Sequence, residues 1–178
     1  MHSPGVIAAS VIDSVLTTID SRGMDAGPIS ARVGIANDGL FGRSHFLPLS
    51  TFTTLLEMAS LQTNDPVLGI KLGKLFNFGS LGPAARLFLS ARTIGEGLAK
   101  LTEFFPTIQS NTRCALEVSD GVARLSYSIS DRTITHRIQD ANFSEALFYS
   151  VLQACLGRMA AHVLRVRAFR WRKSHQLQ

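Results

Sequence analysis

The Asp120-Gly121 pair constrains this chain most, because residues that tolerate positive φ between two alternating stretches predict a two-residue type I′ turn. In such a hairpin, residues whose numbers sum to 241, as 120 and 121 do, face each other. The pairs on one face are all apolar: Val118–Ala123, Leu116–Leu125 and Cys114–Tyr127. On the other face Glu117 lies opposite Arg124, an opposite-charge pair that stabilises an exposed sheet surface. Since a slip of one residue would destroy both matches, the sequence predicts a hairpin in this register.

Two helices are predicted immediately before the hairpin. Gly82-Pro83 begins the first, because proline at the first helical position loses only an N–H group that has no partner there. Thr93 and Glu96 form a capping box at the start of the second. The Thr93 hydroxyl accepts from the Glu96 N–H, and the Glu96 carboxylate reaches the Thr93 N–H. Pro106 ends this helix.

Helical periodicity and turn residues predict five further helices in the rest of the chain. Their starts are placed near Ser3-Pro4, Pro28, Leu49, Pro66 and Asn142. Asn142 with Glu145 repeats the capping signature before a long helix. Residues 163–171 predict a strand and residues 133–138 a shorter one, and both should join the hairpin because a lone hairpin is marginally stable. The predicted class is α+β: a helix-rich N-terminal half packed on a small antiparallel sheet, with one long helix inserted before the last strand.

The composition indicates a single domain with an unusually apolar interior. Of the 178 residues, 46% are hydrophobic and only 17% are charged, which favours a large core, an internal cavity or a covered interface. No apolar run approaches the ~18 residues of a membrane span, and the start lacks the basic region of a signal peptide. We therefore expect a cytoplasmic protein without membrane contact, whose cysteines, Cys114 and Cys155, are reduced core thiols.

The net charge of +5 belongs to one short segment near the C-terminus. Five of the 18 basic residues lie within residues 165–173, and the remainder equal the 13 acidic residues in number. A neutral body is poor evidence for a domain that grips nucleic acid. Direct nucleic-acid binding would therefore depend on the 165–173 segment alone.

The sequence contains none of the common catalytic or metal-binding motifs. Its five histidines lack ligand spacing such as H-E-x-x-H, and C-x-x-C, G-x-S-x-G and the phosphate-binding G-x-x-x-x-G-K-[ST] do not occur. Gly69 and Gly73 fit helix ends, and Asp131 and Asp140 fit turn positions that bracket a loop. We therefore expect no enzyme, no metal and no cofactor.

Aromatic side chains at inward positions between the helices and the hairpin have two interpretations. Core packing explains most of them, but rings around a cavity with a few polar groups are also how small-molecule sites are built. Arg86 is then a solvated helix charge or an anion partner, and Arg137 is an exposed strand residue or lines a pocket at the sheet edge. The predicted ligand-binding residues are Phe76, Phe78, Arg86, Phe88, Phe105, Tyr127, Arg137 and Phe148.

The order of several short motifs resembles one known family. The motifs are Leu49-Ser50, Asn64-Asp65-Pro66 with Leu68-Gly69-Ile70, Gly79-Ser80-Leu81-Gly82, Thr93-Ile94-Gly95-Glu96, and the Asp120-Gly121 hairpin that ends in Tyr127. Their order and spacing over roughly residues 25–170 are similar to the N-terminal effector-binding domain of AraC-type transcription regulators, in the arabinose-binding branch that is not a cupin barrel.

The resemblance implies a sensor that binds a small-molecule metabolite effector, forms a homodimer and acts on DNA through a C-terminal helix-turn-helix module. Family members have a longer sensor domain followed by two helix-turn-helix units, so we expect residues 1–178 to be one C-terminally truncated sensor domain without that module. Asn64-Asp65 replaces the family's Gly-Asp. Glu96-Gly97 replaces its Glu-Ala, and the glycine weakens the helix.

Two other functions stay open from the sequence. A haem- or gas-sensing domain of similar helix-plus-sheet layout would use His136 or His45 as the axial ligand. Nucleic-acid binding by the 165–173 segment would weaken steeply with salt, because phosphate contacts release counterions.

Overall fold

Seven α-helices and two antiparallel strand pairs form the regular structure of the described residues. The computed structural model describes residues 3–35, 45–160 and 164–165. The helices are α1 (Ala9–Ser21), α2 (Ala26–Arg32), α3 (Leu49–Gln62), α4 (Leu68–Leu75), α5 (Pro83–Leu89), α6 (Ile94–Phe104) and α7 (Ile138–Leu156). The strands are β1 (Val6–Ala8), β2 (Phe46–Pro48), β3 (Thr112–Ser119) and β4 (Val122–Ile129). The predicted helix-rich α+β class is confirmed.

Strand β1 replaces the first helical turn that the sequence predicts at Ser3-Pro4. Ile7 pairs with Leu47 of β2, and on its other side it forms an antiparallel bridge with Gln109. Backbone hydrogen bonds of 2.7 and 2.8 Å also join β1 to residues 108–110. Because both edges of β1 have partners, these residues satisfy their backbone groups in an extended conformation, and the helix begins only afterwards.

The predicted starts of α5 and α6 are confirmed. Pro83 is the first residue of α5. Thr93 Oγ1 accepts a hydrogen bond from the Glu96 N–H at 3.1 Å. The Glu96 carboxylate accepts from the Arg92 N–H at 3.0 Å, so the reciprocal bond of the capping box lies one residue earlier than predicted.

The hairpin of β3 and β4 has the predicted register. Asp120 and Gly121 have φ values of 51° and 73°, as a type I′ turn requires. Every predicted facing pair is present, and the Glu117 and Arg124 side chains approach within 3.8 Å on the exposed face. The tip of the hairpin stands in solvent, since Val118 is 71% exposed. Only the base of the apolar face therefore contributes to the core.

No further strand joins the hairpin within the described residues. The strand predicted at 133–138 is wrong, because residues 133–137 are irregular and residue 138 begins α7. The Arg137 guanidinium donates to the carbonyl oxygens of Ile129, Asp131 and Ile134, so a side chain occupies acceptors that a strand ladder would use. The strand predicted at 163–171 lies outside the described residues, except for residues 164 and 165, which belong to no regular element.

Helix α7 begins four residues before the predicted start at Asn142. Its first turn is capped by Glu57 of α3, whose Oε1 accepts from the Gln139 backbone N–H at 2.9 Å. A carboxylate 82 residues away replaces the local cap. A cap from a distant residue leaves no sequence signature beside the helix start. The local Asn142–Glu145 capping pattern therefore predicts the wrong first residue for α7.

Helices α4 and α7 approach backbone to backbone. A Cβ atom on Gly69 would lie 2.4 Å from the Gln139 carbonyl oxygen, and one on Gly73 would lie 2.3 Å from that of Phe143. The prediction that these glycines mark helix ends is wrong, because both lie inside α4 and permit this contact. The Gln139 side chain joins the helices further, since Oε1 accepts from the Gly69 N–H at 2.8 Å and Nε2 donates to the Pro66 carbonyl at 2.9 Å.

The core lies among these helices and under the base of the hairpin. Phe143 of α7 packs edge-on against Phe52 of α3 and Phe76, with ring centroids 5.7 and 5.2 Å away. Residues that are fully buried include Ile7, Ile12, Ile19, Leu49, Leu55 and Leu101. The core therefore draws on the N-terminal strand, α1, α3, α6 and α7 together.

Candidate functional site

A chain of polar side chains crosses the apolar interface between the hairpin and α7. Gln109 Nε2 donates a hydrogen bond to the Tyr127 hydroxyl at 2.7 Å. The Tyr127 hydroxyl donates in turn to Asp140 Oδ2 at 3.1 Å. Gln109 is 5% exposed and Asp140 is 2% exposed, so the chain runs through the interior rather than along the surface.

Each member of this chain is positioned by a different element. Gln109 is held by its bridge to Ile7 of β1. Tyr127 lies on β4 opposite Cys114, near the base of the hairpin. Asp140 is in the first turn of α7, which Glu57 caps. The polar chain therefore connects the hairpin to α7 and to the segment that bridges β1.

Aromatic rings surround the polar chain on one side. Phe105 packs against Tyr127 and Phe148 with centroid separations of 5.8 and 6.4 Å, and Tyr127 and Phe148 are 6.5 Å apart. All three are among the eight predicted site residues. The structure thus brings Phe105, Tyr127 and Phe148 into one cluster.

A cavity lies beside this cluster and is small. Its volume is about 20 Å³, room for roughly one water molecule. Three polar residues line it, Gln109, Asp140 and Ser144, and the apolar lining includes Ile7, Phe52, Phe105, Phe143, Leu147 and Phe148. The lining, mostly apolar with a few polar groups, has the composition of a small-molecule site. The cavity itself has room for only a single small polar group.

The buried carboxyl group of Asp140 is incompletely paired. Oδ2 accepts from Tyr127, but Oδ1 is buried and has no hydrogen-bond partner within the part of the chain that the structure describes. The pKa of Asp140 is raised to about 7. Burial is the main cause and the Glu57 charge adds to it, whereas the Tyr127 hydrogen bond and the Arg137 charge lower the pKa. Burial and the nearby Asp140 charge raise the pKa of Tyr127 well above its ordinary value.

Arg137 acts on the loop that precedes α7. Its guanidinium donates to three backbone carbonyls of residues 129–134, and its charge lowers the pKa of Asp140. Arg137 therefore influences the polar chain through its charge, while these three hydrogen bonds of its guanidinium go to backbone carbonyls.

The other four predicted site residues lie elsewhere. Phe76 packs on Phe143 in the core, and Phe78 packs on Phe88 with centroids 5.3 Å apart. Arg86 is exposed on α5. The structure does not bring these four residues to the polar chain.

Three polar residues of the cavity were missed from the sequence: Gln109, Asp140 and Ser144. The sequence predicts a turn position for Asp140 because it predicts the start of this helix at Asn142. With the observed start, Asp140, Ser144 and Leu147 follow helical spacing on one buried face. A carboxylate on an otherwise apolar helix face is the signal that could have found the site.

The histidines proposed as haem ligands are both exposed. His45 and His136 lie at the surface and do not line the cavity. Within residues 3–35, 45–160 and 164–165, no group of three His, Cys, Asp or Glu side chains is arranged to hold a metal ion. Cys155 is exposed on α7, so its predicted core position is wrong, whereas Cys114 is partly buried and burial raises its pKa to about 12. The described residues give no support to haem sensing.

The helices described here include none with the length and apolarity needed to cross a bilayer. The basic 165–173 segment lies outside the described residues apart from Arg165, so the structure does not test it.

The comparisons with known proteins identify one family. Residues 23–173 match the family described as the arabinose-binding domain of AraC transcription regulator, N-term. This match covers most of the chain and includes Gln109, Tyr127 and Asp140. A search among curated proteins finds no match. The chain therefore belongs to the family of N-terminal arabinose-binding domains of AraC transcription regulators.

Proposed function

We propose that this domain senses a small-molecule effector that binds between the base of the hairpin, α7 and residues 105–109. Family membership supports a ligand-sensing role in a transcription regulator. Two observations support the location: Asp140 lines the cavity, and its buried Oδ1 has no hydrogen-bond partner among the described residues. A buried polar atom without a partner costs free energy, and a ligand that pairs with it recovers that cost.

Binding in this proposal requires the site to open. A cavity of about 20 Å³ accepts one polar group of an effector and not its whole body. The effector therefore selects an arrangement in which the aromatic cluster of Phe105, Tyr127 and Phe148 separates. The equilibrium shifts by as much as the effector's affinity differs between the two arrangements.

The output of the domain follows from family membership and is also proposed. A change in the position of the hairpin relative to α7 alters the surface that the domain presents within a homodimer. A helix-turn-helix module of the same cytoplasmic regulator then binds its DNA more or less tightly.

A thermal-shift screen of metabolites tests the proposed function. An effector that binds only the folded state adds about 2.7 kcal/mol to the free energy of unfolding at 100 times its Kd. We expect Phe148→Leu, at the cavity, to abolish the shift and Phe88→Leu, in the separate Phe78–Phe88 pair, to retain it. A shift retained in Phe148→Leu and lost in Phe88→Leu would place the site elsewhere, and a screen without any stabilising metabolite would contradict a sensor.

A further inference from the structure

The cavity beside Asp140 favours a hydrogen-bond donor. Asp140 Oδ1 has no hydrogen-bond partner among residues 3–35, 45–160 and 164–165, while its other oxygen accepts a hydrogen bond from the Tyr127 hydroxyl at 3.1 Å. Because Asp140 is one of the residues that line the cavity, we take this unpaired oxygen as the acceptor that a donor bound in the cavity would pair.

The size of the cavity limits what can bring that donor. In the closed arrangement about 20 Å³ holds a group of one heavy atom, such as a hydroxyl or an ammonium. A carboxylate or a phosphate is larger than this space and would place acceptor oxygens against the Asp140 carboxyl group. Most of the lining is apolar, with Gln109 and Ser144 as the other polar members. The part of the ligand next to the donor must therefore be hydrocarbon in character.

We propose that Asp140 Oδ1 is the anchor for an effector whose apolar body ends in a single hydroxyl or primary amine. This inference rests on the proposed function, because it names the chemical class of the effector for the same site. It argues against an anionic effector, which would need a cationic partner such as Arg86, the anion partner that the sequence offers, or Arg137 at the predicted pocket. Arg86 is exposed, and the Arg137 guanidinium donates to backbone carbonyls.

The charges around Asp140 decide how the two donors differ. Tyr127 and Arg137 favour the ionised carboxylate, whereas burial and the Glu57 carboxylate favour the neutral acid. An ammonium pairs with the ionised form, so its affinity should rise as Asp140 loses its proton. A hydroxyl group donates to the carboxylate and accepts from the acid, so its affinity should depend little on pH.

Four probes that share a ring and differ in one group test the inference: benzyl alcohol, benzylamine, toluene and benzoate. Binding to the full chain is followed by NMR chemical shifts of the Gln109 and Tyr127 amides. We expect shifts with the alcohol, the amine or both, and weaker or absent shifts with toluene and benzoate. Equal binding of all four probes, preference for benzoate, or no binding of any probe would each overturn the inference.

Variants of Asp140 show whether the carboxyl group is the anchor. Asp140→Ala removes the acceptor and should lower the affinity for the alcohol or amine probe about ten-fold or more. Asp140→Asn can turn an amide N–H toward the cavity, so it should lose benzylamine and keep some binding of benzyl alcohol. Glu145→Gln, which removes an exposed carboxylate from the same helix, is the matched control and should leave every affinity unchanged.

Failure of this inference can be told from failure of the proposed function. If a metabolite from the thermal-shift screen shifts the Gln109 and Tyr127 amides but binds Asp140→Ala as tightly as the parent chain, the site stands and the anchor is wrong. If the metabolite leaves these amides unshifted, the proposed site itself is wrong.

Discussion

The α-carbon of Gly73 in α4 lies so near the Phe143 carbonyl oxygen of α7 that an added Cβ atom would be 2.3 Å from it. The obstructing atom is backbone, so it cannot turn aside as a side chain could. The contact is possible because two residues four positions apart, Gly69 and Gly73, leave one face of α4 without side chains.

Gly73→Ala should lower the free energy of unfolding by at least about 2 kcal/mol, because the helices must separate to admit the methyl group. Urea denaturation measures the change. The matched control is Gly95→Ala in α6, where an added Cβ meets no atom of the described residues within 4 Å. Alanine there should be neutral or slightly stabilising, since it favours helix over glycine. Equal effects of the two substitutions would contradict the close contact.

Gln139→Leu should cost about 2 kcal/mol of stability. The substitution keeps the approximate volume but leaves the Gly69 N–H and the Pro66 carbonyl, now bonded at 2.8 and 2.9 Å, without their partners. The measurement is again urea denaturation. Gln153→Leu, at an exposed position of the same helix, should change stability by less than about 0.5 kcal/mol. A Gln139→Leu chain as stable as its parent would show that the two bonds have no net value.

Asp140→Asn should change the pH dependence of stability. The folded pKa of Asp140 is raised to about 7 from 3.8, so the folded state binds the proton more tightly and the carboxyl group destabilises the fold progressively as pH rises from about 4 to about 7. The neutral amide lacks this penalty. We therefore expect the variant to match its parent near pH 4 and to be more stable above pH 7, by an amount on the order of a few kcal/mol.

Chemical denaturation at closely spaced pH values measures that difference. Glu145→Gln serves as the control for loss of a carboxylate from α7, since this side chain is exposed. A difference between Asp140→Asn and the parent that stays constant from pH 4 to pH 8 would contradict the raised pKa.

Tyr127→Phe should destabilise the domain by about 1–3 kcal/mol, because it leaves Gln109 Nε2 and Asp140 Oδ2 buried without their shared hydroxyl partner. The Tyr127 hydrogen bond also lowers the pKa of Asp140. Its loss should therefore move the pH-dependent transition to higher pH. Tyr149→Phe, on α7 outside the polar chain, is the control. Retention of the parent's stability and pH profile in Tyr127→Phe would argue against the polar chain.

Local sequence signals predicted those elements whose stabilising partners are near in sequence. The Asp120-Gly121 turn specifies the hairpin register through residues at most a strand length away, and Thr93 caps α6 from within its own turn. These features follow from backbone geometry and alternation, which are visible without the fold.

Elements whose partners are distant were missed for the complementary reason. Helix α7 begins where it does because Glu57 caps it, and β1 is extended because β2 and residues 108–110 flank it. The same cause explains why Asp140 was missed. From the sequence it is an ordinary turn residue, and only the observed start of α7 places it on a buried helix face. The inward positions of the three aromatic residues of the cluster were predictable because large apolar rings are usually buried.

The backbone contact between α4 and α7 also determines which parts of the domain can yield. The backbone contacts at Gly69 and Gly73 and the hydrogen bonds of the Gln139 side chain join these two helices closely, so we expect them to move together. The base of the hairpin contacts α7 through the Tyr127 and Phe148 rings and through the hydrogen bond from Tyr127 to Asp140. If the proposed effector enters beside Asp140, we therefore expect the hairpin to move away from α7, with its exposed tip moving most because the tip lies a strand length from that contact.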